Sequence, residues 1–208
     1  MKKSLTAKLR PALALAVASV PLPALAHHGM DGETPSTPMQ GLISGLAHPV
    51  IGLDHLSLVL LFGAVCGAAK RGWMPGAAFV GLSLVGCLAH VARLSVPGAE
   101  LWLAGSIVLA ALLALRGQAS ARWTALVAAS GLLHGYAYGE SMLGAEQTPL
   151  FAYLAGFGLI QLGLLWTAQT LTKQIDTRGA GLGAVRVQKG LALASLGIGV
   201  VAIVGQLV

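Results

Sequence analysis

Residues 42–69 read LISGLAHPVIGLDHLSLVLLFGAVCGAA. The stretch holds no Lys or Arg and ends abruptly at Lys70-Arg71. A bilayer-spanning helix needs roughly 20 apolar residues, and this run exceeds that. Yet it carries His48, Asp54 and His55 in its interior. Such a segment reads as a membrane helix with chemistry inside it. Five more apolar stretches of similar length follow, at about 74–92, 98–116, 122–143, 149–172 and 187–208. The expected fold is all-α, a polytopic transmembrane bundle of six helices over residues 42–208.

The composition agrees. Of 208 residues, 56% are hydrophobic and 10% charged, and the mean hydropathy is +0.79. A soluble domain carries about 25% charged residues. So few polar side chains exclude a soluble enzyme, a nucleic-acid binder and a disordered chain. The net charge of +6 is concentrated at the start, where Lys2, Lys3, Lys8 and Arg10 precede an apolar run ending in Ala24-Leu25-Ala26. That pattern predicts a signal peptide over 1–26, with His27 as the mature N-terminus. Residues 27–41, polar and rich in Gly and Pro, read as a periplasmic tail. The remaining nine Lys/Arg face seven Asp/Glu, so there is no basic patch and no case for nucleic acid. No glycine-rich nucleotide loop occurs, so ATP does not drive this chain.

Loop charge sets the expected orientation. With the mature N-terminus outside, the inner loops hold Lys70, Arg71, Arg116, Arg122, Lys173, Arg178, Arg186 and Lys189, and the outer loops only Arg93. Eight against one satisfies the positive-inside rule for a multi-pass protein of a bacterial inner membrane. Trp73, Trp102, Trp123 and Trp166 fall toward segment ends, as interfacial anchors do. Gly41/Gly45, Gly63/Gly67 and Gly131/Gly135/Gly139 recur every four residues, a spacing that lets membrane helices approach closely. Cys66 and Cys87 lie within apolar runs and read as small core residues.

Ionisable groups within spans are few and therefore mark function. Asp54, His55 and His134 lie deep, with His48, His90, Glu100 and Glu140 nearer the outer ends. Imidazoles and carboxylates without an embedded Lys or Arg call for a cation. Little thiolate is available, which favours nickel, cobalt or zinc. In one regular helix His48 and His55 would sit about 10 Å apart along the axis. Either the helix unwinds near Pro49 and Gly52, or the two are successive stations. His134 and Tyr138 are one turn apart, but a protonated Tyr is a poor ligand. His27 and His28, after the cleavage point, offer an amine–amide–imidazole chelate suited to Ni(II) or Cu(II).

These motifs resemble the HupE/UreJ family of hydrogenase- and urease-accessory nickel/cobalt permeases. The resemblance covers most of the mature chain. It rests on His48-Pro49-x-x-Gly52-x-Asp54-His55, Pro97-Gly98-x-Glu100, His134-Gly135 followed by Gly139-Glu140, and Gly156-Phe157. It implies secondary uptake of Ni(II) or Co(II), with metal maturation proteins as partners and the motif histidines and acids as ligands. Two departures stand out: Tyr138 occupies the place of the family's second histidine in its helix, and Leu165 that of a histidine in the next, where Gln161 is the polar neighbour.

The expected mechanism follows. His27 and His28 capture the ion; His48, His90, Glu100 and Glu140 line an outer vestibule; Asp54, His55 and His134 form the mid-membrane site. Imidazole ligates only when neutral, so uptake falls below about pH 6. The alternatives are an intramembrane zinc hydrolase, with Asp54, His55 and His134 around Zn(II), and a metal-binding membrane accessory protein without flux. Against the hydrolase, the sequence has no His-x-x-x-His pair.

Overall fold

The computed structural model describes residues 34–117, 120–178 and 182–207. Among the described residues it is all helix with no strand. Seven α-helices follow one another: α1 Pro38–Ile51, α2 Leu53–Ala68, α3 Met74–Val91, α4 Ala99–Leu115, α5 Ala121–Tyr138, α6 Gln147–Arg178 and α7 Leu182–Leu207. A single 3₁₀ turn, Gly139–Met142, extends α5. The expected signal peptide, with His27 and His28, lies outside the described residues.

The stretch expected as one span is two helices meeting at 75°. α1 opens on a capping box: the Thr37 hydroxyl accepts from Gln40 N–H, and the Gln40 side chain accepts from Thr37 N–H. It begins at Pro38, earlier than the apolar run suggests. Pro49 sits inside α1, where it has no N–H for the ladder. The helix ends two residues later at Ile51, and Gly52 is both its C-cap and the N-cap of α2. Unwinding thus falls at Gly52 and spares Pro49. Counting the bent pair as one rod gives six. α3, α6, α7 and the bent pair are long and apolar enough to cross a bilayer; α4 is a shorter apolar helix. α6 and α7 also run on into the stretch expected as the Lys173–Arg186 loop.

Glycines fix how the rods pair. A Cβ at Gly135 would fall on the Ser83 carbonyl, and one at Gly45 on the Tyr153 carbonyl. Around Gly135, α3 and α5 pack parallel, Phe79 against Gly131 and Cys87 against Gly139. Around Gly45, α1 runs parallel to the first half of α6, and α2 parallel to its second half, Gly63 meeting Leu165 and Gly67 meeting Gln169. The α1–α2 path takes half again as many residues from Gly45 to Gly63 as α6 takes from Tyr153 to Leu165. The excess is the excursion at the bend, and it leaves room for side chains from α5. α4 and α7 run antiparallel: Gly199 packs on Ala104 and Val108, while the Gln188 amide donates to Ala114 O. These directions are those of alternating spans.

The same contacts gather the cations at one end. Gln169 donates to Arg71 O and Gly72 O, and Trp123 Nε1 donates to Ala110 O. The ends so joined carry Lys70, Arg71, Arg116, Arg122, Lys173, Arg186 and Lys189. Trp123 is not an interfacial anchor: it is buried in the core with Phe62, Phe79, Leu58, Leu61 and Ile107. Trp73, Trp102 and Trp166 are exposed, as anchors should be. Cys66 and Cys87 are free and buried. Outward, Leu109, Leu126, Leu159 and Val204 are exposed; inward, Ser83, His55, His134, Gln161 and Ser195 are buried. An apolar exterior, with the polar side chains of the spans turned into an otherwise apolar core, is the arrangement a protein adopts with lipid as its solvent.

Candidate metal site

The bend delivers its ligands from a helix start. Asp54 and His55 occupy the first turn of α2, where the positive end of the helix favours a carboxylate. Asp54 Oδ1 accepts the His55 backbone N–H at 2.8 Å. Asp54 Oδ2 lies 3.8 Å from His55 Nε2. Gly52 has ordinary backbone angles, φ −72° and ψ 98°. Its lack of a side chain serves space: a Cβ there would come 3.1 Å from His55 Cδ2 and 3.2 Å from Asp54 Oδ1.

His134 arrives from α5. Its Nδ1 meets His55 Nδ1 at 2.9 Å, and its Nε2 meets Ser106 Oγ of α4 at 3.1 Å. The Ser106 hydroxyl also donates to Leu103 O at 2.7 Å. Asp54 thus lies beside His55, and His55 beside His134. They line up rather than encircle a point. Among the described residues no three His, Cys, Asp or Glu side chains converge to hold a metal ion.

His48 stands apart, in α1, on the other side of Tyr138. The Tyr138 ring stacks on His55 with centroids 3.9 Å apart and meets His48 edge-on at 4.9 Å. His48 Nδ1 lies 3.0 Å from the Tyr153 hydroxyl and 3.5 Å from Ser141 Oγ. Both hydroxyls donate to Tyr138 O, at 3.1 Å each. Each hydroxyl has a single proton; where both protons go to that carbonyl, His48 Nδ1 is the donor to the hydroxyls and its ring lone pair is on Nε2. A hydrogen bond that fixes the tautomer of a histidine is what a metal ligand requires.

The outer residues do not join this line. His90 Nδ1 donates to Tyr136 O at 2.6 Å and its ring stacks on Tyr136. Glu100, in the first turn of α4, and Glu140, in the 3₁₀ turn, are exposed. Sequence reasoning missed Ser106 and Tyr153 as partners. They carry no motif, and only helix register brings them to the histidines. Gln161 is fully buried one turn beyond Phe157, with its Oε1 unpartnered among the described residues.

No curated protein and no solved structure matches this chain. A family model described as "HupE / UreJ protein" matches residues 15–202. That is nearly the whole length and takes in α1 to α6 and most of α7, so the chain belongs to the HupE/UreJ family.

Proposed function

We propose that the protein is a secondary transporter that imports Ni(II) or Co(II) across a bacterial inner membrane. The family is one of nickel and cobalt handling, of transport and accessory proteins rather than enzymes. The observation that carries the reading is the pair of Asp54 Oδ2 and His55 Nε2, 3.8 Å apart at a helix break inside an apolar bundle. A first-row divalent ion bonded at about 2 Å to each atom fits between them. Two helix ends meet at the break: the carbonyl end of α1 is negative and attracts a cation, while the positive end of α2 is offset by the Asp54 carboxylate in its first turn. His48, held as its Nε2 lone-pair tautomer, is the station before the pair, and the Tyr138 ring separates the two.

The remaining assignments belong to the same proposal. Residues 1–26 are a cleaved signal peptide, 27–41 a periplasmic tail whose last residues, from Pro38, already form the start of α1, and 42–208 the transmembrane domain. His27 and His28 capture the ion, while His90, Glu100 and Glu140 lie along its approach. His134 completes the deep site. Ions pass on to metal maturation proteins inside. The test is uptake of radiolabelled nickel into proteoliposomes, with cobalt and zinc in parallel. Saturable nickel or cobalt flux supports the reading. Saturable binding without flux overturns transport and leaves a metal-holding accessory protein.

A further inference from the structure

The line Leu103–Ser106–His134–His55–Asp54 has a direction. The Ser106 hydroxyl has one proton and two partners, Leu103 O at 2.7 Å and His134 Nε2 at 3.1 Å. Both contacts are hydrogen bonds only if the proton goes to the carbonyl and His134 Nε2 donates to Ser106. A neutral His134 protonated at Nε2 has its lone pair at Nδ1. At 2.9 Å, His134 Nδ1 then accepts from His55 Nδ1. A neutral His55 protonated at Nδ1 has its lone pair at Nε2, the atom that faces Asp54 Oδ2. Each step follows from the one before, and the first is set by a residue on α4 that touches neither Asp54 nor His55.

We infer that Ser106 is a positioning residue: through His134 it fixes the ring protons of His55 so that two lone-pair donors, Asp54 Oδ2 and His55 Nε2, face each other. The inference rests on the proposed metal site at Asp54 and His55. It moves His134 from the ligand set to the support of it, since both ring nitrogens are engaged by Ser106 and His55. His134 holds the far nitrogen of the ligating His55, and Ser106 in turn holds His134; outer-shell partners of this kind commonly carry a share of metal affinity.

The experiment uses the full chain purified in detergent and titrated calorimetrically with Ni(II). Ser106→Thr and Ser106→Val are nearly the same shape, and only Thr keeps a hydroxyl able to bond the preceding turn. Ser106→Val and Ser106→Ala should weaken nickel binding about 10- to 100-fold, with Ser106→Thr close to wild type. Isotope-labelled histidine NMR of the metal-free protein should show the His134 Nε2–H form in wild type and Ser106→Thr, and a mixed tautomer in the other two. That signature does not respond to a loss of packing alone. Asp54→Asn is the control for the site itself. If Asp54→Asn loses nickel while Ser106→Val binds as Ser106→Thr does, the role of Ser106 is wrong and the metal site stands. If Asp54→Asn binds nickel normally, the site and the inference fall together.

Discussion

Tyr138 lies flat on the His55 imidazole at 3.9 Å and edge-on to His48 at 4.9 Å, so one phenol ring contacts both proposed stations. Its hydroxyl is buried and has no hydrogen-bond partner among the described residues. A buried hydroxyl without a partner costs about 1–3 kcal/mol in desolvation, which its removal recovers. Tyr138→Phe should therefore melt at the same temperature as wild type or higher, and should keep nickel uptake. Thermal unfolding in detergent and proteoliposome flux check both. A large drop in uptake with stability unchanged would give the hydroxyl a part in moving the ion.

Tyr138→His replaces this ring with a third imidazole, one turn from His134 and between His48 and His55. An added neutral nitrogen donor should raise nickel affinity by about tenfold, equivalent to about 1.4 kcal/mol. Tighter holding should slow release, so maximal flux should fall as affinity rises. Calorimetric titration and flux on the same preparation separate the two effects. Affinity no better than wild type would mean that position 138 does not face the ion's path.

Asp54→Asn and His55→Ala should each abolish metal uptake and leave membrane insertion intact. A divalent ion in a low-dielectric bundle needs a negative ligand, and Asp54 is the carboxylate set in the interior. Asn keeps the shape and the bond from His55 N–H while removing the charge. Amounts of protein in the membrane fraction control for folding. Normal transport by Asp54→Asn would make Asp54 a helix-capping residue and nothing more.

Much of this was legible in residues 42–69. Apolar length gave the rods, and the charge at Lys70-Arg71 gave their ends. Pro49 and Gly52 announced a break, and the adjacency of Asp54 and His55 pointed to the site proposed above. What the sequence hid was register. Ser106 and Tyr153 are ordinary residues on other helices, and nothing in their own surroundings marks them. Trp123 looked like an anchor because it lies near a segment end, yet its indole turns inward to Ala110 O. Position along a span predicts depth but not which face of the helix a side chain takes.

The parallel packing of α3 on α5 depends on Gly135, whose missing side chain lets the Ser83 carbonyl approach. Gly135→Leu cannot be absorbed by a flexible neighbour, because the obstacle is backbone. The variant should fail to accumulate as a monodisperse species. Gly81, with open space around it, should accept Leu without loss. Fluorescence-detected size exclusion of the two variants compares them directly. Equal behaviour would mean that α3 and α5 are not held at this distance in the membrane.

Gly52→Ala tests the bend and the site together. Ala fits the Gly52 backbone, with φ −72° and ψ 98°, so the change strains no dihedral and helix content should stay constant. The added methyl meets His55 Cδ2 at 3.1 Å and Asp54 Oδ1 at 3.2 Å, closer than ordinary van der Waals contact. Both candidate ligands must then shift by a few tenths of an ångström, and they must shift away from each other or away from the helix start. Metal ligation tolerates distance errors of about 0.2 Å, so nickel affinity should fall several-fold while far-ultraviolet circular dichroism is unchanged. Ser57 offers the contrast: its hydroxyl donates to Asp54 O from the next turn, and Ser57→Ala leaves both ligand atoms where they are. Calorimetry on Gly52→Ala and Ser57→Ala should therefore show a loss in the first and little in the second. Equal affinities would mean that the ion is not held between Asp54 and His55, and that Gly52 serves only to let the chain turn.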